Sequence, residues 1–305
     1  SNQLSWGHEV VGRVPVNEEE EQDGIYGKIE NLSSILRNRE IDEVAFALNG
    51  NRGIELSPYI NICRKMGISA RILPSLWEPI EGITISVERC QNIPFITIPV
   101  DRINATGLFY KRIVDVIGGV VGTAIFLLIL PFVSIAIKLD SPGPVLFKQE
   151  RVGKHGRKFN LYKFRSMEDG AESMQVVLEG ANEMQGYMFK MENDPRITPV
   201  GRFLRKTSID EIPQFLNVLK GEMSLVGTRP PTPKEVKNYQ MEHLKRIALK
   251  PGITGLWQIS GRNQIRNFEE VVELDCRYME NWRFLTDIKI LLKTIIVVLQ
   301  RKGAI

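Results

Sequence analysis

The sequence predicts an α/β protein with two regions, an N-terminal parallel-sheet domain and a mostly helical region that contains an apolar segment. Strand and helix patterns alternate up to about residue 107, an order typical of parallel sheets. Residues 116–137 are uncharged, and amphipathic helical patterns with basic side chains follow them. A chain of 305 residues has room for two domains of roughly 100–200 residues each.

The predicted N-terminal domain comprises residues 1–107, and the second region comprises residues 108–305. A buried-strand pattern over 41–48 precedes a helical pattern that ends at Gly67, since glycine commonly follows the last helical residue. A second strand pattern follows over 68–73. Gly50-Asn51-Arg52-Gly53 follows the strand but lacks the G-x-G-x-x-G spacing of a dinucleotide site. We therefore favour a structural or regulatory domain, with a cofactor-binding domain as the alternative.

Composition narrows the classes of protein. Hydrophobic residues make up 43% and charged residues 25%, which excludes a disordered or collagen-like chain. The net charge of +4 suits an anionic substrate or membrane surface, and we expect no nucleic-acid partner because no aromatic stacking platform accompanies it. Three widely spaced cysteines and three isolated histidines indicate neither a disulfide framework nor a zinc site. Because the chain begins with Ser1, we interpret it as part of a longer protein.

The uncharged run admits three interpretations: a spanning helix, a re-entrant hairpin and a buried helix of a soluble core. Its 22 residues would form a helix of about 33 Å, long enough to cross a bilayer. Pro131 lies inside it and disfavours a straight helix. Basic residues such as Arg112 and Lys138 flank both ends, and such residues favour the cytoplasmic side. We therefore favour a re-entrant membrane segment over about 112–138, broken at Pro131.

A second apolar stretch occupies residues 287–299, with basic side chains around it. An amphipathic helix of this kind either lies on a membrane surface or packs on the protein core. The pattern favours neither.

Asp210 and Glu211 are the strongest candidates for chemistry. A structural role is open to them, since Ser208 and Glu211 have the spacing of a capping box and acids stabilise a helix N-terminus. Their surroundings favour another role, because Arg205 lies just upstream and Arg229 follows in a proline-stiffened turn. Carboxylates among arginines suit a metal–phosphate site, in which a carboxylate holds Mg²⁺ or attacks phosphorus.

Seven motifs in this order resemble one family, the bacterial polyprenyl-phosphate sugar phosphotransferases or monotopic phosphoglycosyl transferases. They are Lys111-Arg112-x-x-Asp115, the run with Pro131, GPVLFKQERVG at 143–153, YKFRSM at 162–167, DEIPQ at 210–214, MSLVGTRPP at 223–231 and KPGITGLWQ at 250–258. The resemblance covers about residues 108–305. Small members often carry Pro-Arg-Pro where this chain has Thr228-Arg229-Pro230, and the threonine is similar to larger members.

The resemblance implies a fold and an activity. A Rossmann-like region would precede a mostly α-helical catalytic domain, which holds a re-entrant helix hairpin and interfacial amphipathic helices. The enzyme would move a sugar 1-phosphate from a UDP-sugar to undecaprenyl phosphate and release UMP, with Mg²⁺ as cofactor. This step begins exopolysaccharide, capsule or O-antigen (lipopolysaccharide) assembly on the cytoplasmic face of the bacterial inner membrane. The oligomeric state that we consider for this protein is a homodimer.

The resemblance also implies roles for individual residues. Asp210 would be the nucleophile that forms a covalent phosphosugar intermediate, and it is also the metal ligand that we assign. Glu211 would support the metal or move a proton. Basic side chains would bind the substrate phosphates: Lys163, Arg205 and Arg229, with Arg165 and Arg262 as weaker candidates. The alternative is a catalytically inactive, membrane-docked regulatory protein that binds a nucleotide and whose acidic pair only caps a helix.

Overall fold

The computed structural model describes residues 3–4, 8–14, 27–47, 55–72, 86–90, 93–98, 105–174, 177–191, 193–261 and 265–300. The chain divides into two units, Ser1–Asp101 with Met241–Ala248 and Arg102–Gln240 with Leu249–Ile305. The short segment Met241–Ala248 therefore belongs to the N-terminal unit, although the sequence division places it in the second region.

The first unit is built around one sheet of four strands. Its helices and strands are β1 (Gln3–Leu4), β2 (His8–Glu9), α1 (Leu32–Asn38), β3 (Glu43–Phe46), α2 (Ser57–Met66), β4 (Ser69–Ile72), β5 (Ser86–Cys90) and β6 (Ile93–Ile98), with 3-10 helices at Ile29–Asn31 and Met241–Ile247. The sheet order is β3-β4-β6-β5.

The sheet is mixed rather than parallel, which corrects the sequence expectation. The predicted strand–helix–strand unit is present, since β3 and β4 pair in parallel and α2 connects them. The neighbouring pairs, β4 with β6 and β6 with β5, are antiparallel. A Rossmann-like domain is therefore not confirmed in the described residues. The helix α2 ends as expected, because Gly67 adopts the left-handed conformation at φ +73°, which suits glycine best.

The second unit contains the long helix and the elements around it. They are α3 (Ala105–Asp140), β7 (Leu146–Val152), β8 (Lys158–Phe164), α4 (Ala171–Met174), α5 (Pro199–Lys206), α6 (Phe215–Lys220), β9 (Ser224–Val226), α7 (Pro233–Asn238), β10 (Gly252–Thr254), α8 (Leu256–Ile259), α9 (Phe268–Glu280) and α10 (Phe284–Leu299). Three 3-10 helices join them: Lys154–Gly156, Glu179–Ala181 and Ile209–Gln214. β7 and β8 form an antiparallel hairpin, and β9 pairs in parallel with β10.

A buried polar side chain fastens α6 to the hairpin. Asn217 is fully buried; its amide nitrogen donates to Asn160 O at 2.7 Å, and its amide oxygen accepts from the Tyr162 backbone N–H at 3.2 Å. These two bonds satisfy backbone groups of β8 and so substitute for a neighbouring strand. They also fix the 3-10 helix Ile209–Gln214, which leads into α6, beside β8.

The Lys111-Arg112-x-x-Asp115 motif attaches α3 to the rest of the second unit. Lys111 Nζ donates to Val226 O at 2.7 Å and to Asp287 Oδ2 at 2.6 Å. Arg112 donates to the Val218 and Leu219 carbonyls near the end of α6. The buried Asp115 accepts from Ser224 Oγ and from the Leu225 backbone N–H. A cation at a helix C-terminus and a satisfied buried carboxylate are both stabilising.

α3 is one helix from Ala105 to Asp140, and Pro131 lies inside it. The two helices of the expected hairpin are therefore not found, and Pro131 does not end the helix. Proline removes one backbone donor, but here its position is exposed to the outside of the unit. Beside it, Ser134 Oγ donates to Leu130 O at 2.5 Å.

One side of α3 packs on the unit and the other side is exposed. Phe126 and Ile137 are buried, and Phe126 stacks near Phe164 of β8 at 5.6 Å between ring centroids. On the opposite side Leu128 and Phe132 are each 72% exposed. α3 is the one described helix long and apolar enough to cross a membrane, and 17% of its most apolar window is buried. A wholly buried soluble-core helix does not fit this distribution.

α10 both packs on the protein core and presents an apolar surface outward, which combines the two interpretations that the sequence left open. Asp287 and Ile290 are buried against the core, while Leu285, Leu292 and Ile295 are exposed. The helix therefore packs on the unit with one face and presents an apolar face outward.

Candidate active site

A cleft of about 750 Å³ opens in the second unit, a volume typical of ligand sites. All six of the predicted functional residues that the structure describes line it: Lys163, Arg165, Arg205, Asp210, Glu211 and Arg229. Arg262 lies outside the described residues. The sequence motifs are spread over almost 70 positions, and the fold brings their charged members to one place.

The acidic pair lies on the 3-10 helix Ile209–Gln214, where Asp210 is 7% exposed. Ser208, just before it, has a left-handed φ of +56° and makes no side-chain capping bond. The capping box that the spacing allowed is therefore absent, because Ser208 does not adopt the extended conformation that a capping residue needs. The left-handed turn instead separates the pair from the end of α5.

Lys163 projects from β8 beside Glu211. Its ammonium lies 3.0 Å from Glu211 Oε1, and both side chains are largely buried. The pair exists because β8 packs directly on the 3-10 helix of the acidic residues. Because this part of the cleft is partly shielded from water, the positive charge of Lys163 stabilises nearby negative charge more strongly than it would in bulk water.

The predicted arginines fall into two groups. Arg205 and Arg229 are partly exposed: Arg205 Nε donates to Ser166 Oγ at 2.9 Å, and Arg229 forms a fork with both oxygens of Glu235 at 3.0 and 3.4 Å. Arg165 is buried, and its terminal nitrogens donate to the Ser141 and Pro142 carbonyls after α3. Arg165 thus shapes the cleft wall.

Arg151 is a cleft residue that the sequence analysis did not assign. It donates to Pro230 O at 2.9 Å and to Gln149 Oε1 at 2.5 Å. Burial, with a smaller contribution from the neighbouring Arg229, lowers the pKa of Arg151 to about 10, which leaves the guanidinium charged at neutral pH. It supports the turn that presents Arg229. The motif GPVLFKQERVG contains it, but spacing alone gives no sign of this contact.

Asp194 and Arg196 form a second unpredicted feature of the cleft. Arg196 donates to both carboxylate oxygens of Asp194, at 2.8 and 2.5 Å, and to Ala171 O at 3.0 Å. Burial alone would raise the pKa of Asp194, but the hydrogen bonds and charge of Arg196 outweigh it and lower the pKa. This buried pair ties the segment around Ala171 to the cleft.

The carboxylates of the cleft fit a magnesium ion held jointly with a substrate. Among the described residues no three His, Cys, Asp or Glu side chains converge, so an all-protein metal cage is not found there. Asp210 and Glu211 do line the cleft together, as do Glu168 and Asp169. Mg²⁺ is usually held by one or two carboxylates together with substrate phosphates, and this donor set suits that arrangement.

Comparison with known proteins identifies relatives. Residues 106–301 match a protein-family model described as bacterial sugar transferase. The galactosyl transferase CpsE of Streptococcus agalactiae serotype III (strain NEM316) is 53% identical over 197 residues, 65% of this chain and 44% of that protein. The undecaprenyl-phosphate galactose phosphotransferase of Salmonella typhimurium is 43% identical over 200 residues, 64% of this chain and 42% of that protein.

A third relative extends the match over the N-terminal unit. The UDP-glucose:undecaprenyl-phosphate glucose-1-phosphate transferase of Escherichia coli (strain K12) is 32% identical over 308 residues, 96% of this chain and 62% of that protein. The chain spans about half the length of these curated relatives.

Proposed function

The chain belongs to the bacterial sugar transferase family, and from this premise we propose that it transfers a sugar 1-phosphate from a UDP-sugar to undecaprenyl phosphate. One observation carries the proposal: the buried carboxylate of Asp210 shares a cleft with Lys163, Arg205 and Arg229. Carboxylate and cations together suit attack on a phosphate, because the cations stabilise the charge that develops on its oxygens.

The transfer proceeds in two displacements. A carboxylate oxygen of Asp210 attacks the phosphorus that bears the sugar, and the bond from that phosphorus to the UMP oxygen breaks. UMP leaves with the bonding electrons, and the sugar phosphate stays on Asp210. An oxygen of undecaprenyl phosphate then attacks the same phosphorus and displaces the carboxylate, giving undecaprenyl-diphosphate-sugar. Covalent catalysis of this kind divides one difficult step into two easier ones.

The cationic side chains hold the phosphates during both displacements. Arg205 and Arg229 present planar guanidinium groups, which suit two-point contacts with phosphate oxygens. Lys163 is already paired with Glu211 at 3.0 Å, so an incoming phosphate shares the lysine with that carboxylate. Glu211 thereby holds Lys163 in place at the cleft.

Mg²⁺ is part of the proposal, with Asp210 as its protein ligand and Glu211 beside it. Bound there with the substrate diphosphate, the ion would neutralise phosphate charge as a Lewis acid. The names of two of these relatives refer to galactose and that of the third to glucose, so UDP-galactose and UDP-glucose are the first donors to test.

The apolar outer faces of α3 and α10 support membrane attachment, which the lipid acceptor also requires. Contiguous exposed apolar surfaces are typical of sites that contact a membrane or another protein. We place the second unit on the cytoplasmic face of the inner membrane, where nucleotide sugars are available, with both ends of α3 on that side.

The test is a UMP-release assay on the 305-residue chain in nanodiscs, with Mg²⁺, undecaprenyl phosphate and each UDP-sugar. We expect UMP with at least one donor, and a loss of about 10³-fold or more for Asp210→Asn because an amide is not a nucleophile here. Asp140→Asn is the matched control. Asp140 accepts from the Val200 backbone N–H outside the cleft, and an asparagine oxygen preserves that bond.

The covalent step has its own readout. Without undecaprenyl phosphate, UMP release should stop after about one equivalent per chain, and the Asp210 peptide should carry the sugar phosphate, as expected for an accumulating intermediate. UMP release by Asp210→Asn at the unsubstituted rate would contradict the role of Asp210. Absence of UMP with every donor would contradict the transferase proposal and favour a regulatory protein.

A further inference from the structure

A carboxylate that does not itself line the cleft binds an arginine that does. The two oxygens of Glu235 accept from Arg229, at 3.0 Å from Nη1 and 3.4 Å from Nη2. The Glu235 side chain is 8% exposed and that of Arg229 is 22% exposed. The described residues that line the cleft include Arg229 and not Glu235, so the carboxylate holds the arginine without taking up cleft surface.

The fork restricts the guanidinium group of Arg229 in both position and plane. Two N–H···O bonds to one carboxylate define an orientation, which a single bond does not. A side chain that is already ordered loses less entropy when it binds a ligand. A guanidinium carries five N–H donors, and the fork uses one on each terminal nitrogen. Other donors of the same group are therefore left for a phosphate.

The backbone around Arg229 is held by bonds other than the fork. On one side, Thr228 O accepts from the N–H of Gly252 in β10 at 2.9 Å. On the other side, Pro230 O accepts from Arg151 Nη1 in β7 at 2.9 Å. Loss of the fork would therefore release the side chain of Arg229 while these bonds keep the turn in place.

Glu235 also compensates the charge of two neighbouring arginines. Burial lowers the pKa of Arg151, the positive charge of Arg229 lowers it further, and Glu235 acts in the opposite direction. Like charges that lie close together repel each other, and a carboxylate that interacts with both offsets this repulsion. Its removal would disfavour the present position of the Arg229 guanidinium.

We propose that Glu235 is a positioning residue for sugar-phosphate transfer, which holds the guanidinium of Arg229 in the orientation that binds a phosphate of the donor. This rests on the proposed function, since it concerns how one phosphate-binding residue of that reaction is held. A structural role is also open to Glu235, because its N–H donates to Thr232 Oγ1 at 3.2 Å at the start of α7. A glutamate at this third helical position can cap the helix, and the experiment distinguishes the two roles.

The test is a double-mutant cycle on kcat/KM for UMP release, with the full chain in nanodiscs and the accepted UDP-sugar. Glu235→Gln breaks the fork, because an amide presents one acceptor oxygen, and should lower kcat/KM by about 10- to 100-fold. Arg229→Met removes the guanidinium and should lower kcat/KM by about 10²- to 10³-fold, a rate that a radiolabelled donor still measures. In the Arg229→Met chain, Glu235→Gln should cause no further loss, because the effects of residues that act together are not additive.

Two further variants control for general damage. Glu179→Gln is the matched control, since Glu179 pairs at 2.7 Å with Lys234 of the same helix, outside the cleft. Because this pair is exposed, kcat/KM should stay within about twofold. Glu235→Asp keeps the buried charge and withdraws it by one methylene, so it tests the fork even where Glu235→Gln fails to fold. It should lower kcat/KM with little change in the unfolding temperature.

Each outcome decides the assignment. A loss that is present with Arg229 and absent in the Arg229→Met chain supports it. Equal losses in both backgrounds would overturn it, because Glu235 would then act on α7 and not through Arg229. Unchanged or increased kcat/KM in both Glu235 variants would also overturn it, since the carboxylate would then be dispensable or would keep Arg229 from the phosphate. If the unsubstituted chain releases no UMP with any donor, the proposed function fails, and the assignment that rests on it fails with it.

Discussion

At the scale of single residues, the Lys163–Glu211 pair allows a test of the proposed phosphate binding. The lysine side chain is 27% exposed and carries its charge beside Glu211. Replacing it with alanine should lower kcat/KM for the UDP-sugar by about 100-fold, the usual effect of removing one group that stabilises transition-state charge.

Lys220→Ala is the control for Lys163→Ala. Lys220 also lies beside β8, with its ammonium 3.2 Å from the Tyr162 hydroxyl, but it does not line the cleft. Its removal should leave kcat/KM within about twofold, since exposed charges contribute little. An equal loss in both variants would mean that general positive charge, and not the position of Lys163, supports activity.

The Asp194–Arg196 pair predicts a pH dependence of stability. Arg196 lowers the pKa of Asp194 in the folded state, so the carboxylate contributes stability above its unfolded pKa of about 3.9. This contribution is lost as the pH falls through the lower, folded value. Asp194→Asn should therefore reduce the unfolding free energy by about 2 kcal/mol near neutral pH, and the difference should shrink below about pH 3.9.

Urea unfolding of both chains, followed by tryptophan fluorescence across this range, measures that difference. A difference that stays constant into acid would show that Asp194 is not the titrating group.

The sequence motifs predicted many of the residues that line the cleft, but they did not predict which groups these residues contact. Asp210, Glu211, Lys163 and Arg229 each sit in a motif, Arg205 lies just before one, and all five line the same cleft. Asn217 bonds a residue 57 positions away, and Arg151 bonds the carbonyl of Pro230, 79 positions further along the chain. Such roles depend on distances that spacing does not encode.

At the scale of elements, α3 approaches α6 through glycine. A Cβ on Gly122 would lie 2.1 Å from the Phe215 ring, and one on Gly119 would lie 2.8 Å from the Leu219 side chain. Phe215 directly follows the 3-10 helix of the acidic pair. The close packing of α3 therefore supports the segment that carries the acidic pair.

Gly122→Ala should destabilise the protein although alanine favours helix by about 1 kcal/mol. Overpacking against an aromatic ring costs typically 1–3 kcal/mol, so we expect a lower unfolding temperature and reduced UMP release. Gly180→Ala is the control, because a Cβ there meets nothing within 4 Å. An unchanged or higher unfolding temperature for Gly122→Ala would contradict this packing.

The elements themselves were predicted unevenly, for physical reasons. Alternating strand and helix patterns correctly indicated β3, α2 and β4, since each has its own periodicity. The antiparallel β5–β6 pair was missed because strand direction depends on partners and not on local pattern. Pro131 was expected to divide α3, yet one missing N–H in an otherwise strong apolar helix does not end it.

At the scale of the whole molecule, the contacts of α3 constrain how the chain meets a membrane. Near its start Lys111 bonds Val226 and Asp287, and at its end Asp140 accepts from the Val200 N–H at 3.1 Å. Phe126 and Ile137 are buried in between. A spanning helix needs about 20 consecutive residues inside the hydrocarbon of the bilayer. In α3, every stretch of that length contains residues that contact the rest of the second unit.

Both ends of α3 should therefore lie on the same side of the membrane. Single cysteines at Tyr110 and at Leu139, both exposed, should react with an impermeant maleimide in the same vesicle orientation as a reference cysteine at exposed Val177. The unsubstituted chain gives the background; of its thiols, Cys63 stays unreactive because burial raises its pKa to about 12. Labelling of the Tyr110→Cys and Leu139→Cys chains from opposite sides of the membrane would establish a spanning helix instead. In that case one half of α3 would have to lose its contacts with the rest of the second unit.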